Sequence, residues 1–204
     1  MYNLHEALGD ISSIRRQLAQ TTEFRGYGPL TLTATGLLAV AAALAQAMWT
    51  PGPANHMAAY LCIWLGTAVI AAAVIGVEMY ARTQRIHSGM ADEMLRMAVE
   101  QFLPSGVVGG LLTIAIVRFV PASFWMLPGF WQVICGLGVF SSCRFLPRPM
   151  ALAAAGYIVC GLTPIALADS RALSPLAMGI PFAVGQVMVA AILLLTSGEA
   201  GNED

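Results

Sequence analysis

The side chains able to do acid–base or metal chemistry are concentrated in one stretch, RTQRIHSGMADEMLRMAVEQ, residues 82–101. It holds six of the chain's 21 Arg, Asp and Glu residues and one of its three histidines. A transition-metal site needs three or four converging ligands. His87 and Asp92 are five residues apart, which does not place them on one face of a helix. Unless the N-terminal His5 lies beside His87, the pattern predicts no metal site, and we predict no cofactor.

The same stretch has the period of an amphipathic helix. Met90, Met94 and Met97 recur at spacings of four and three residues, which is typical of one helical face. Asp92 precedes Arg96 by four residues, a favourable orientation for an intrahelical ion pair. We therefore predict a solvated cytoplasmic helical loop over about 81–100. The side chains that it would offer to a partner are His87, Asp92, Glu93 and Arg96.

Sequence motifs for catalysis do not appear in the chain. There is no GxSxG, HExxH, P-loop or GxGxxG sequence at a strand–helix junction. The four cysteines fall inside or at the ends of apolar runs and form no CxxC pair. Such cysteines behave as small hydrophobic residues. We predict no catalytic residue and a protein that is not an enzyme.

The composition indicates a protein dissolved in lipid. Of 204 residues, 58% are hydrophobic and only 10% are charged, whereas a soluble domain carries about 25% charged residues. The net charge of -1 gives no general attraction to nucleic acid. The first apolar run begins at about Leu30, after several charged residues, so we interpret it as a retained span and not as a secretory signal.

Six apolar segments come close to the length of about 20 residues that a membrane-crossing helix needs. They are residues 30–49, 58–80, 100–120, 123–142, 150–168 and 176–197. Eight arginines precede or join these segments on one side, and only Arg118 and Arg171 lie on the other. Cytoplasmic loops are enriched in arginine, so both termini are predicted to lie in the cytoplasm, and the protein in the inner (plasma) membrane.

The predicted fold is therefore an all-α integral membrane protein, a bundle of six transmembrane helices. Its membrane domain covers residues 29–198, preceded by a cytoplasmic amphipathic helix at 1–28 and followed by an acidic tail at 199–204. In the first of these segments Leu4, Leu8 and Ile11 share one stripe. Three fates fit it: lying in the membrane interface, packing against residues 82–101, or pairing with another chain. The interaction candidates here are Leu4, Leu8, Ile11, Arg15 and Arg16.

Ionisable groups inside a membrane usually mark function. Glu78, in AVIGVEMYAR, is the one acid embedded in an apolar run, and Arg82 follows it at i+4. An interfacial ion pair is the simpler interpretation, and an ion or substrate site is the alternative. The middle of the bilayer has no ionisable pair, which argues against a proton pump or a carrier of charged solutes. The remaining ligand or pathway candidates are neutral: Gln46, Gln132, Tyr157 and Gln186.

Small residues and prolines follow patterns that affect helix packing. Small residues at four-residue spacing let helix backbones approach closely; they include Ala68, Ala72, Gly76, Gly106, Gly110 and Gly156. We expect these contacts inside the bundle, with a homo-oligomer as the alternative. Three prolines near span ends would free backbone carbonyls that neighbouring groups can satisfy; they are Pro104, Pro164 and Pro181.

Two functions fit this pattern. The preferred one is a non-catalytic membrane module that binds a lipophilic ligand or a cytoplasmic protein partner and presents its cytoplasmic helices for regulation or assembly. The alternative is a channel or facilitator for a small neutral or lipophilic solute, lined by the four neutral candidates named above. The expected partners are the lipid bilayer, a cytoplasmic protein or further copies of the chain, and not nucleic acid.

Overall fold

The computed structural model describes residues 28–50, 52, 56–86, 91–143, 146–167 and 170–199. Over these residues the chain forms helices and no strand. The α-helices are α1 (Pro29–Trp49), α2 (Met57–Ile86), α3 (Ala91–Phe119), α4 (Leu127–Ser142), α5 (Met150–Ala166) and α6 (Pro175–Glu199). Two 3₁₀ helices, Pro121–Met126 and Ser170–Leu173, lead into α4 and α6. The predicted all-α class is confirmed for this part of the chain.

Five stretches of helix are long and apolar enough to cross a membrane: Pro29–Trp49, Met57–Arg85, Val99–Phe119, Pro121–Ser142 and Pro175–Thr196. They indicate a multi-pass membrane protein. The sixth predicted span corresponds to α5, which has 17 residues. At 1.5 Å per residue this helix is about 25 Å long, and a hydrocarbon core is about 30 Å thick. Five of the six predicted spans thus reach the required length as helices. The remaining one, predicted at residues 150–168, does not.

The surface of the bundle is apolar. Leu37, Val69, Leu111, Leu152 and Leu195 belong to five different helices, and each is between 61% and 70% exposed. Water-soluble monomers rarely expose contiguous apolar patches of this kind. Lipid is the solvent in which such a surface is stable, in agreement with the low charge content of the chain.

The closest approach between α4 and α5 is made by glycines. A Cβ atom on Gly129 would lie 2.5 Å from the Gly161 carbonyl oxygen, and one on Gly161 would lie 2.5 Å from the Gly129 oxygen. About two turns further along α4, a Cβ on Gly136 would lie 2.8 Å from the Ala154 oxygen. No larger residue fits at these positions, so the pair depends on small residues for its contact.

A second close pair joins the first and last helices of the bundle. A Cβ atom on Gly36 of α1 would lie 3.2 Å from the Ala183 oxygen of α6. A Cβ atom on Gly179 of α6 would lie 2.7 Å from the Ala43 Cβ of α1. This pairing brings the two ends of the membrane domain together.

The small residues singled out from the sequence lie mostly elsewhere. Added Cβ atoms on Gly76, Gly106 and Gly110 would have no atom within 4 Å, so the expectation that these glycines pack inside the bundle was wrong. The reason is the position of their helices, since only 11% of the apolar stretch of both α2 and α3 is buried. Gly156 does face a neighbour, Met188 of α6, whose Cε would lie 3.7 Å from an added Cβ.

Candidate functional site

Two buried glutamines from different helices meet the start of α6. Gln46 of α1 is fully buried. Its Nε2 donates a hydrogen bond of 2.7 Å to the Leu173 carbonyl oxygen, and its Oε1 accepts one of 2.7 Å from Trp64 Nε1. The Ala177 N–H donates to the Ser174 oxygen, at 3.1 Å, and not to the Leu173 oxygen four residues back. Gln46 thus supplies a donor to a carbonyl at the irregular entry into the helix.

Gln132 of α4 makes the equivalent contact one turn further along. It is fully buried, and its Nε2 donates a hydrogen bond of 2.7 Å to the Ala177 carbonyl oxygen. Pro181 lies four residues after Ala177 and has no N–H with which to close the helical bond. The neighbouring donor that the sequence led us to expect at such a proline is therefore present at Pro181.

We call this group the amide cluster: Gln46, Trp64 and Gln132 with the carbonyls of Leu173 and Ala177. It contains no ionisable side chain and does no acid–base chemistry. It ties α1, α2 and α4 to the first residues of α6 through hydrogen bonds whose loss would leave buried groups unpaired. One acceptor in it stays open, because Gln132 Oε1 is buried without a hydrogen-bond partner among the described residues.

Tyr157 and Gln186 form a separate contact between α5 and α6. Tyr157 is buried, and the Gln186 side chain lies beside its hydroxyl. That hydroxyl also lies 3.5 Å from the Phe182 carbonyl oxygen. Gly185 makes room for the ring, since any Cβ atom at this position would overlap it. Within the described part of the chain, Gln186 Oε1 is a second buried acceptor without a partner.

The four neutral candidates do not form one site. Gln46 and Gln132 belong to the amide cluster at the start of α6. Gln186 is nine residues beyond Ala177, roughly 13 Å along the helix axis. The candidates therefore form two separate groups along α6. Gln46 and Gln132 contact its start, and Tyr157 lies beside Gln186 further along.

Glu78 of α2 lies against the start of α1. Its carboxylate contacts Gly28, where an added Cβ atom would overlap it. The sequence interpretation paired Glu78 with Arg82 on its own helix, whereas the structure brings the carboxylate to a second helix. A carboxylate beside a helix N-terminus is favoured by the partial positive charge there. Its Oε2 is buried and has no hydrogen-bond partner in the described ranges.

The polar start of α3 carries an exposed ion pair. Arg96 Nε lies 2.6 Å from Glu100 Oε1, and both side chains are more than half exposed. Exposed pairs of this kind contribute about 0–1 kcal/mol. The pair agrees with the predicted solvated face of this segment. Both side chains are exposed, so the pair encloses no site.

Several predicted interaction residues fall outside the described part of the chain. They are Leu4, Leu8, Ile11, Arg15, Arg16 and His87, and the side chains of Asp92 and Glu93. Among the residues that are described, no group of three or more His, Cys, Asp or Glu side chains could hold a metal ion. The four cysteines are free thiols.

Sequence reasoning missed the partners of the amide cluster. Leu173 and Ala177 take part through their backbone carbonyls, which carry no side-chain signal. Trp64 is only 4% exposed, against 72% for Trp49, whereas tryptophan in membrane proteins is enriched at the membrane interface. The sequence feature that predicts part of the cluster is Pro181. Because proline has no N–H, the Ala177 carbonyl four residues earlier needs a donor from elsewhere.

Comparison with protein-family models, with curated protein sequences and with solved structures gives no match to this chain. Function therefore has to be inferred from its own residues.

Proposed function

We propose that this protein is a non-catalytic membrane module that binds a protein partner through the hairpin of α2 and α3. The observation that carries the proposal is the uneven burial of the bundle. In the apolar stretches of α2 and α3 11% of the residues are buried, against 39% in α1 and in Pro121–Ser142. Much of the hairpin's apolar surface thus faces away from the bundle, with open glycines at Gly106 and Gly110.

The hairpin also offers a polar surface beyond its apolar part. α3 begins at Ala91, whereas its apolar stretch begins at Val99. The intervening turns carry Arg96, which pairs with Glu100. A partner with both a membrane segment and a soluble part would meet apolar and charged surface on the same two helices.

The buried interior supports a role without chemistry. The amides of Gln46 and Gln132 hold backbone carbonyls, and the buried Tyr157 packs on Phe182 with ring centroids 5.4 Å apart. These side chains position helices. A catalytic site would use such groups to contact a substrate.

The proposed topology has six spans with both termini in the cytoplasm of the cell, across its plasma membrane. For the short α5, hydrogen-bonded turns precede the helix, from Met150 N–H to the Pro147 oxygen, and follow it, from Leu167 N–H to the Thr163 oxygen. Residues 147–167 thus form a continuous hydrogen-bonded rod of about 30 Å. A remaining mismatch of a few Å costs only fractions of a kcal/mol per Å. The arginine-rich connections then face the cytoplasm.

A photo-crosslinking amino acid placed at Val69 of α2 or Val108 of α3 tests the proposal in the native membrane. We expect one discrete protein adduct at both positions. The matched controls are Leu37 of α1 and Leu195 of α6, which are as exposed as Val69 and should crosslink to lipid only. Protein adducts of equal yield at all four positions, or at none, would contradict a hairpin-specific partner.

Transport of a small neutral or lipophilic solute is the second candidate. The observation that favours it is the pair of buried acceptors, Gln132 Oε1 and Gln186 Oε1, without hydrogen-bond partners in the described part of the bundle. A solute with N–H or O–H groups would find acceptors there. Proteoliposomes should then take up such a solute, such as urea or glycerol, and Gln186→Met should slow the uptake. Uptake no faster than in protein-free liposomes would count against transport.

A further inference from the structure

The start of α6 cannot satisfy its own backbone. In a helix the N–H of residue i donates to the carbonyl of residue i−4, so the Ala177 carbonyl would accept from residue 181. Residue 181 is proline, which has no N–H and whose ring pushes the i−4 carbonyl aside. Such prolines are the usual positions of helix kinks.

The missing donor comes from another helix. Gln132 Nε2 lies 2.7 Å from the Ala177 oxygen, and the Gln132 side chain is fully buried. The orientation of its amide is fixed by this contact, because a carbonyl oxygen accepts from nitrogen and repels the amide oxygen. The Nε2 also lies 3.8 Å from Met178 Sδ, a weak acceptor one residue further along.

The residues before the proline are attached to other helices at two points. Gln46 of α1 holds the Leu173 carbonyl, and Gln132 of α4 holds the Ala177 carbonyl. Gly179 packs on Ala43 of α1. The first turns of α6 are therefore tied to α1 and α4, while their helical bond across Pro181 is missing.

We propose that Pro181 is a hinge in α6 and that Gln132 locks it. When the Gln132 amide releases the Ala177 carbonyl, residues 173–180 pivot relative to the rest of α6. When it binds, the Ala177 carbonyl is paired and the start of α6 is held against α4. The device is independent of the α2–α3 hairpin, so it stands whether or not that hairpin binds a partner.

The test is a double-mutant cycle in the full-length protein, read by hydrogen exchange in nanodiscs. Gln132→Met keeps the size of the side chain and removes the donor. We expect peptides covering 176–186 to exchange about tenfold faster, the effect of leaving one buried carbonyl unpaired. Pro181→Ala restores a backbone donor, so in that background Gln132→Met should change the exchange less than about twofold.

Gln46→Met is the matched control. Its acceptor, the Leu173 carbonyl, is not the one that Pro181 leaves free, so Gln46→Met should speed exchange equally with Pro181 or with Ala at that position. If Pro181→Ala does not yield folded protein, Gln132→Asn, one methylene too short to reach, should reproduce the exchange seen with Gln132→Met. An equal effect of Gln132→Met in both backgrounds, or exchange that rises uniformly over all helices, would overturn the locked hinge.

Discussion

Side-chain amides at the start of α6 do what backbone N–H groups do in a regular helix. Gln46 and Gln132 each donate to a carbonyl that the helix leaves open. An unpaired buried carbonyl costs about 1–3 kcal/mol, and lipid offers no water to replace the missing donor. Neutral amides suit this task because they carry both a donor and an acceptor without the cost of a buried charge.

Trp64 Nε1 donates the hydrogen bond that Gln46 Oε1 accepts. Replacing Trp64 therefore tests the amide cluster directly. Trp64→Phe removes the N–H that binds Gln46 Oε1 and leaves that oxygen buried and unpaired. We expect a loss of about 1–2 kcal/mol in the free energy of unfolding, measured by titration from mild detergent into SDS.

The matched control is Trp49→Phe. Trp49 is mostly exposed, so the same loss of ring area should change the unfolding free energy by less than about 0.5 kcal/mol. Equal losses for the two variants would mean that ring size matters at Trp64 and that its hydrogen bond does not.

Helices in this bundle pair where glycines let their backbones approach closely. α4 and α5 meet at Gly129 and Gly161, whose carbonyls face one another's Cα hydrogens at a distance that excludes a methyl group. In a membrane the attraction between helices comes from close packing, because burial of apolar surface from water does not contribute. Glycine position therefore decides partner choice more directly than hydrophobic pattern does.

Gly161→Ala should separate α4 from α5. The added methyl would lie 2.5 Å from the Gly129 oxygen and 2.9 Å from a Val133 methyl, and such overpacking costs about 1–3 kcal/mol. The thermal midpoint in detergent should fall accordingly.

Gly110→Ala is the control for that substitution. Its methyl would have no neighbour within 4 Å, and alanine is favoured over glycine inside a helix by about 0.5–1 kcal/mol. Its midpoint should stay the same or rise. A drop as large as that of Gly161→Ala would place Gly110 in a contact that involves another copy of the chain or a partner.

The whole molecule is arranged as two close pairs, α1 with α6 and α4 with α5, with the α2–α3 hairpin at the edge. Among the described charged residues, Glu78 lies against the start of α1 and Arg96 near the start of α3. The membrane interface accommodates them there, and the interior is left to neutral groups. This distribution agrees with a binding or assembly role better than with transport of ions.

The topology has a test of its own through C-terminal fusions to a fluorescent protein that matures only in the cytoplasm. Six spans predict fluorescence after residue 146, none after residue 170, and fluorescence again after residue 199. If α5 does not cross, the fusion after residue 170 fluoresces and the one after residue 199 is dark. The two arrangements differ at both positions, so a single set of three fusions distinguishes them.

The helical class, the positions of the long apolar helices and the need for a donor near Pro181 can be predicted from the amino-acid sequence. These follow from hydrophobic run length and from proline chemistry, which are local properties of the chain. It also showed that ionisable groups avoid the middle of the apolar segments.

Helix pairing, and the match between each side-chain donor and its carbonyl, cannot be predicted this way because they depend on tertiary packing. Gly129 and Gly161 are no more conspicuous in sequence than Gly106 and Gly110, yet the first two are in contact and the last two are open. Gln132 and Ala177 are 45 residues apart, and nothing local joins them. Spacing along a helix shows which face a residue occupies, but the neighbour of that face is set by how the helices assemble in three dimensions.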